Sequence, residues 1–467
     1  MLYVYKNETR VGLLDIQASE PFYGFSYDIE YLALPEARPL SLSLPLTGSR
    51  YTGEQAQPYF EGLLPEGEAR DAIARRYGIS RSSSVKLLEA LGRDCAGDVS
   101  IISESGADGA GTAPGFSDAP DSGAEAVGSG AAAGYDISPG SDSTRGANRS
   151  HEYYPFADAI SRISESPRDV MTRIREGTRL SLAGGQEKIA LYHSPGESIR
   201  EGWRIPARGS PSTHIIKPGL LESEYPHITL NEFLCMRAAP ECGVQAAFVD
   251  ILYPETPVII IKRYDRIITC ADVKGRILVS RIHQEDCCQA CGIRTDMKYE
   301  HDGGPGFRMI RDLLARHAKN PAEDIRMLLK WGVFNYLIGN CDAHAKNLSL
   351  LHNADGTVAL APAYDLISTS LYDGRFGEKL SRNMGMRIGG HENLDRVNPE
   401  DFKSFAGDIR VRNNQVRKTG EEIMRKLTPA FNAAAQAAEK EGFTGAREIS
   451  DRILSGCEKR SEMMFST

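Results

Sequence analysis

The sequence predicts an α+β chain of two lobes, strand-rich and then helical, behind a smaller N-terminal module. Three observations carry this. Short β-branched runs dominate from about 187 to 262. After about residue 300 the apolar positions recur at helical spacing. One helical segment is inserted within the strand-rich part, the layout of a two-lobed nucleotide enzyme. A composition break separates the front module: 29 of the 48 residues from Ser103 to Ser150 are Gly, Ala or Ser, with no Leu, Met, Trp or Cys. Such a stretch cannot bury enough apolar surface to offset its ordering entropy, so it reads as a flexible insertion. The expected divisions are 1–102, 103–150, 151–265 and 266–467.

The module opens with strand alternation in LYVYKNETRVGLLDI. EGEARDAIARRYGIS then predicts a helix ending at Gly78, and SSSVKLLEALG a second one, capped among Ser82–Ser84 and stopped at Gly92. In the main body EKIALYH (187–193), STHIIK (212–217), AAFVDIL (246–252) and PVIIIK (257–262) read as strands, and 228–243 as the interrupting helix. FRMIRDLLARHAKN and PAEDIRMLLKWGVFNYLIG follow as helices. The second has Asn320 as N-cap, Pro321 at N1 and Glu323 at N3, with Ile325, Leu328, Leu329, Val333, Tyr336 and Leu337 facing a core. The stretch 419–463 reads as further helices.

Charge and cysteine usage narrow the class. Lys+Arg total 55 against 63 Asp+Glu, a formal charge of −8. That disfavours a broad basic surface for nucleic acid. No run approaches the roughly 18 uncharged apolar residues of a membrane span. The first apolar run breaks at Lys6, unlike a signal-peptide core. Nine irregularly spaced cysteines read as cytosolic thiols, placing the chain in the cytoplasm. Cys287, Cys288 and Cys291 lie close to His283, but the second ligand pair of a zinc site is missing, so buried helix thiols are the better reading.

NYLIGNCDAHAKNLSLL (335–351) holds the most chemistry. A helix ends and a polar loop presents Asn340, Asp342, His344, Lys346 and Asn347. Phosphoryl transfer needs a carboxylate to orient the attacking hydroxyl and oxygen ligands for Mg²⁺. Protein kinases put both on one loop with this Asp-to-Asn spacing. Asp365, after the short strand in VALAPAYDLIS, stands where a second metal-binding carboxylate would come. Ala183, Gly184 and Gly185 precede a strand and suit amide contacts to phosphate oxygens. Lys217 ends the apolar strand of THIIKP, with Glu232 on the intervening helix as its partner. Taken singly, each residue also fits an ordinary role: turn caps at Asp342 and Asn347, a strand-end Asp365, a solvated Lys217, a loop-orienting His344. Their order favours a kinase site.

These residues, with LLPEGEARDAIARRYGIS, GRDCAGDVS, NEF, RIHQEDCCQACG and MGMRIGG, resemble the HipA family of toxin kinases from bacterial toxin–antitoxin modules. The resemblance implies a two-lobed protein-kinase-like fold with a strand-rich N-lobe, an all-helical C-lobe and an extra N-terminal subdomain. It implies ATP and Mg²⁺ as cofactors, Asp342 as catalytic base, and Asn347 and Asp365 as metal ligands. Ala183, Gly184, Gly185, Gln186, Lys217, His344 and Lys346 would line the nucleotide, with Lys262–Tyr264 as the hinge beside adenine. Ser181 would be an inhibitory autophosphorylation site, since a phosphate there repels the ATP phosphates. The implied partners are a helix-turn-helix antitoxin, HipB, which carries the DNA contacts, and an aminoacyl-tRNA synthetase as substrate, leading to dormancy. His283 to Asp286 match a family signature without an evident role. Two features depart from the pattern: the 103–150 insertion, and Cys341, a thiol beside the base and open to oxidation. A pseudokinase corepressor and a small-molecule or lipid kinase are the competing functions.

Overall fold

Sheet and helix alternate along the chain in a computed structural model that describes residues 1–15, 22–103, 151–178, 183–207, 209–220, 222, 224–269, 278–372 and 381–465. The insertion expected over 103–150 therefore lies almost wholly outside the described residues, as does Ser181. Two compact units account for the chain. The first is Met1–Lys217 with Asp265–Gln284 and Asn353–Gly356; the second is Pro218–Tyr264, Glu285–His352 and Thr357–Thr467.

In the first unit, the alternating N-terminal residues form an antiparallel sheet ordered Gly24–Tyr27, Thr9–Asp15, Leu2–Lys6, Val99–Ser103. Leu2 pairs with Leu14, and Val4 with Gly12 and Ile101. The inward side chains join Phe25, Tyr59, Phe60, Leu88 and Leu91 in one core. Helix Gly67–Tyr77 ends where Gly78 turns left-handed (φ 62°), and helix Ser84–Leu91 starts after Ser83, as the punctuation predicts. Helix Gly53–Gly62 carries Pro58 inside it and was not foreseen. Strands Tyr153–Pro155, Trp203–Pro206, Ile189–His193 and His214–Pro218 lie side by side in that order. A buried charge cluster stitches the front module into this unit. Asp94 Oδ1 accepts from Arg266 at 3.1 Å and Arg281 at 3.2 Å, and Ser212 Oγ donates to Asp94 Oδ2 at 2.9 Å.

In the second unit, Val249–Leu252 pairs antiparallel with Val258–Lys262, beside helix Ile228–Glu241. Helix Pro321–Ile338 packs against Phe307–His317, Asn413–Lys440 and Ala446–Phe465. Every residue from Trp331 to Ile338 is buried; each large apolar side chain there contributes about 1.5–3 kcal/mol. Asn320 and Pro321 stand at N-cap and N1 as expected, but the Asn320 side chain makes no capping bond. Ile325 is only half-buried. Its neighbour Asp324 takes the inward position, and its Oδ1 accepts from Leu360 N at 3.0 Å. The part after 266 is helical in bulk but not all-helical. Short antiparallel ribbons, Ser349–His352 with Val358–Leu360 and Asn383–Ile388 with His391–Asn393, interrupt it because the loops between helices pair with one another.

Candidate active site

Gly339 stops the central helix in the left-handed conformation (φ 72°). A Cβ there would stand 2.1 Å from Ser370 Oγ, so the turn requires glycine. The next residue, Asn340, organises the loop. Its Oδ1 accepts from Asp342 N at 3.1 Å. Its Nδ2 donates to Asn335 Oδ1 at 2.8 Å and to Asp365 O at 3.4 Å. One buried amide thus holds the backbones of both aspartates. Asn347 Nδ2 donates to Asp342 O at 3.0 Å, which leaves its Oδ1 as an acceptor for a cation. The Asp342 side chain is 53% exposed, with His344 Nε2 3.8 Å from Oδ1. Tyr299 OH donates to the same oxygen at 2.7 Å.

The family signature at 283–286 acquires a physical role. Asp286 caps helix Cys287–Cys291 through Gln289 N, and its other oxygen accepts from Lys346 Nζ at 2.8 Å. Glu285 Oε1 lies 2.8 Å from His352 Nε2. Within the first unit, His283 Nδ1 is 2.7 Å from Asp98 Oδ1 and Nε2 is 2.8 Å from Leu40 O. Sequence reasoning missed these roles, and missed Asn340 as an organiser. Lys346, expected at the nucleotide, is buried with its ammonium on Asp286, because a cation taken out of water needs a carboxylate.

Asp365 has φ 52°, a conformation that costs a non-glycine residue energy and that clusters at functional sites. Its neighbour Tyr364 donates to Lys346 O at 2.6 Å, and burial pushes that phenol well up in pKa. Tyr364 stacks on Tyr264 of the expected hinge, ring centroids 6.2 Å apart. Asn231 Nδ2 donates to Ser368 O, and Ser368 N to Asn231 Oδ1, both at 3.0 Å, fixing the segment beyond. Cys341 departs from expectation: it is 5% exposed, its N donates to Thr369 Oγ1 at 2.8 Å, and burial raises its thiol pKa. A buried protonated thiol is inert rather than open to oxidation. Cys287 and Cys288 are buried on their helix as expected.

The remaining predicted residues lie in the first unit or at the expected hinge, apart from Glu232. Gly184 has φ 106°; its O accepts from Glu66 N at 3.1 Å, and Ala183 O accepts from Lys188 Nζ at 2.6 Å. The loop is thus held from two sides, with Gly185 exposed and Gln186 half-buried. Lys217 is buried on its strand, and Glu232 on helix Ile228–Glu241 of the second unit. Lys262 is exposed and its N donates to Phe248 O at 2.9 Å. The second unit therefore brings Asp342, His344, Asn347 and Asp365 together around Asn340. Asn347 and Asp365 offer hard oxygen donors, which suit Mg²⁺. Among the described residues no group of three or more His, Cys, Asp or Glu side chains is placed to hold a metal ion by itself.

A helix-terminating loop with a solvent-facing carboxylate, an adjacent amide oxygen and a second aspartate is the arrangement expected of a phosphotransferase-type site. Comparison with known proteins agrees. The descriptions "HipA N-terminal domain" and "HipA-like C-terminal domain" match residues 2–102 and 180–431, and the chain belongs to the HipA family of kinases. It is 33% identical to "Putative kinase Y4mE" of Sinorhizobium fredii, over 89% of this chain and 86% of that protein. It is 26% identical to "Serine/threonine-protein kinase toxin HipA" of Shewanella oneidensis, over 92% and 88%. The solved Shewanella oneidensis HipA, in complex with HipB and its operator DNA, covers all of both chains with a TM-score of 0.73 at 24% identity. That likeness establishes the fold: α+β, kinase-like, with the extra N-terminal subdomain. Among the described residues no helix is long and apolar enough to cross a membrane.

Proposed function

We propose that the chain is a serine/threonine protein kinase toxin that moves the ATP γ-phosphoryl group to a serine of a translation protein, an aminoacyl-tRNA synthetase by family resemblance. The observation that carries this reading is the Asn340 side chain, which joins the Asp342 and Asp365 backbones at the end of one helix. Asp342 orients the acceptor hydroxyl and takes its proton. Asn347 Oδ1 and the Asp365 carboxylate hold Mg²⁺, which when bound neutralises charge on the transferring phosphoryl group. Ala183, Gly184, Gly185 and Gln186 cradle phosphates, Lys217 pairs with the α/β-phosphates, and Lys262–Tyr264 line adenine. His344 orients Asp342, and Lys346 acts by holding the loop. Ser181 is the autophosphorylation site that switches the enzyme off.

Because the Shewanella relative was solved in complex with HipB and operator DNA, a HipB-like antitoxin is the proposed partner, with DNA held mainly through it. The acidic balance of this chain suits that division. The test is labelled-phosphate incorporation from ATP with Mg²⁺, with mass spectrometry of Ser181 and phosphoproteomics of expressing cells. Asp342→Asn should abolish incorporation. Incorporation at the parental rate by that variant would overturn the assignment.

A further inference from the structure

One aromatic side chain reaches the candidate base from a turn 43 residues away in sequence. Tyr299 OH donates to Asp342 Oδ1 at 2.7 Å. Its backbone is locked independently of that bond. Tyr299 O accepts from Asp302 N at 3.0 Å and from Gly304 N at 2.9 Å. A Cβ on Gly304 would stand 2.3 Å from Met297 O and 2.7 Å from Tyr299 O, so the turn closes only around glycine. Glu300 Oε2 accepts from Arg387 N at 2.6 Å, tying the turn to strand Asn383–Ile388. That strand is joined to the loop in turn, since Gly385 N donates to Cys341 O at 2.8 Å. The phenol ring stacks on His301 and meets buried His344 edge-on, with centroids 5.4 and 5.1 Å away.

We infer that Tyr299 is a positioning residue for phosphoryl transfer: its hydroxyl fixes the Asp342 carboxylate in one rotamer through Oδ1 and leaves Oδ2 for the acceptor hydroxyl. The inference rests on Asp342 being the base. A carboxylate 53% exposed samples several rotamers unless something holds it. Small misplacements of a reacting group are expensive in rate. A phenol keeps its proton at neutral pH and so acts as donor. In the step, the acceptor oxygen bonds to the γ-phosphorus as the bond to the β–γ bridging oxygen breaks. ADP leaves, the acceptor proton passes to Oδ2, and Tyr299 keeps its own.

The test is Tyr299→Phe in the full chain, assayed with labelled ATP, Mg²⁺ and dephosphorylated casein as acceptor. The expected result is a kcat lower by about three- to tenfold, the worth of one partly exposed charge-assisted hydrogen bond. KM for ATP and the melting temperature stay at parental values. Gly304→Ala, which displaces the Tyr299 backbone but keeps the hydroxyl, should lower kcat in the same direction, and the double variant should lose little more. A parental kcat in Tyr299→Phe would overturn the role, and a raised kcat would show instead that the phenol blocks the acceptor seat. Asp342→Asn run alongside separates the two ideas. If it turns over like the parent, the base assignment falls and this inference with it. If it is inactive while Tyr299→Phe is unchanged, only the Tyr299 role falls.

Discussion

Lys346 Nζ donates to Asp286 Oδ2 at 2.8 Å with side chains 4% and 8% exposed, so a cation of the candidate catalytic loop is held by the last residue of the His-Gln-Glu-Asp run. The same aspartate caps helix Cys287–Cys291 with its other oxygen. One carboxylate therefore couples a helix start to the loop that presents Asp342 and Asn347. This coupling makes Asp286 a brace for the loop.

Breaking that brace strands a buried charge. Lys346→Met should destabilise the second unit by about 3–5 kcal/mol, the usual cost of removing one partner of a buried ion pair. Urea unfolding of Lys346→Met, Asp286→Asn and the double variant checks this. The double variant should be less destabilised than the sum of the singles, because removing both charges leaves neither uncompensated.

Asn340→Ala removes the donor to Asp365 O and the acceptor for Asp342 N. Buried acceptors and donors left without partners cost about 1–3 kcal/mol each. Phosphate incorporation should fall by more than tenfold. Asn340→Asp keeps the acceptor for Asp342 N but sets a buried carboxylate oxygen against Asn335 Oδ1 and Asp365 O, so it should not rescue activity, as initial rates of labelled-phosphate transfer will show.

Two glycines give a paired prediction. A Cβ on Gly385 would stand 2.7 Å from His344 N and 2.8 Å from Ala343 C and O, all backbone atoms. Gly385→Ala must therefore displace the loop, and activity should drop at least tenfold. On helix Pro399–Asp408, Gly407 has nothing within 4 Å of such a Cβ. Gly407→Ala should leave activity unchanged and add about 0.5–1 kcal/mol, the helix-propensity difference between the two residues.

Buried thiols predict an alkaline loss of stability. Burial pushes Cys242 and Cys291 up to about 12 and Cys457 up to about 11, against an ordinary thiol value of 9.0. On unfolding above pH 9.0 these thiols release protons that the folded state retains. The unfolded state then binds fewer protons, so stability falls as pH rises from 9.0 towards 12, and it is fully present below 9.0. Denaturant midpoints at pH 8 and pH 10 measure this. Alkylation of native protein at pH 8 should spare buried Cys242, Cys457 and Cys341, and label them once denatured.

Local signals made much of this legible in advance. Helices Gly67–Tyr77, Ser84–Leu91, Ile228–Glu241 and Pro321–Ile338 lie close to their predicted ranges, because Gly78, Gly92, Pro321 and Gly339 act through their own backbones. Helix Gly53–Gly62 was hidden by Pro58, which reads as a breaker but is tolerated there. The ribbon Asn383–Ile388 was hidden because its pairing depends on a neighbour and not on its own period. Ile325 was misplaced by one helical position, since Asp324 takes the inward site with Leu360 N as its partner.

The chain order alone carried the spacing of Asp342, Asn347 and Asp365 and the family they mark, since these depend on neighbours along the backbone. Only tertiary packing decided that Lys346 turns to Asp286, that Tyr299 meets Asp342, and that Asn340 bonds Asp365 O. Those partners lie 60, 43 and 25 residues apart. No local periodicity encodes such a meeting, because it is the packing of the helices between them, or of the ribbon between Asn340 and Asp365, that brings the polar groups within hydrogen-bond reach.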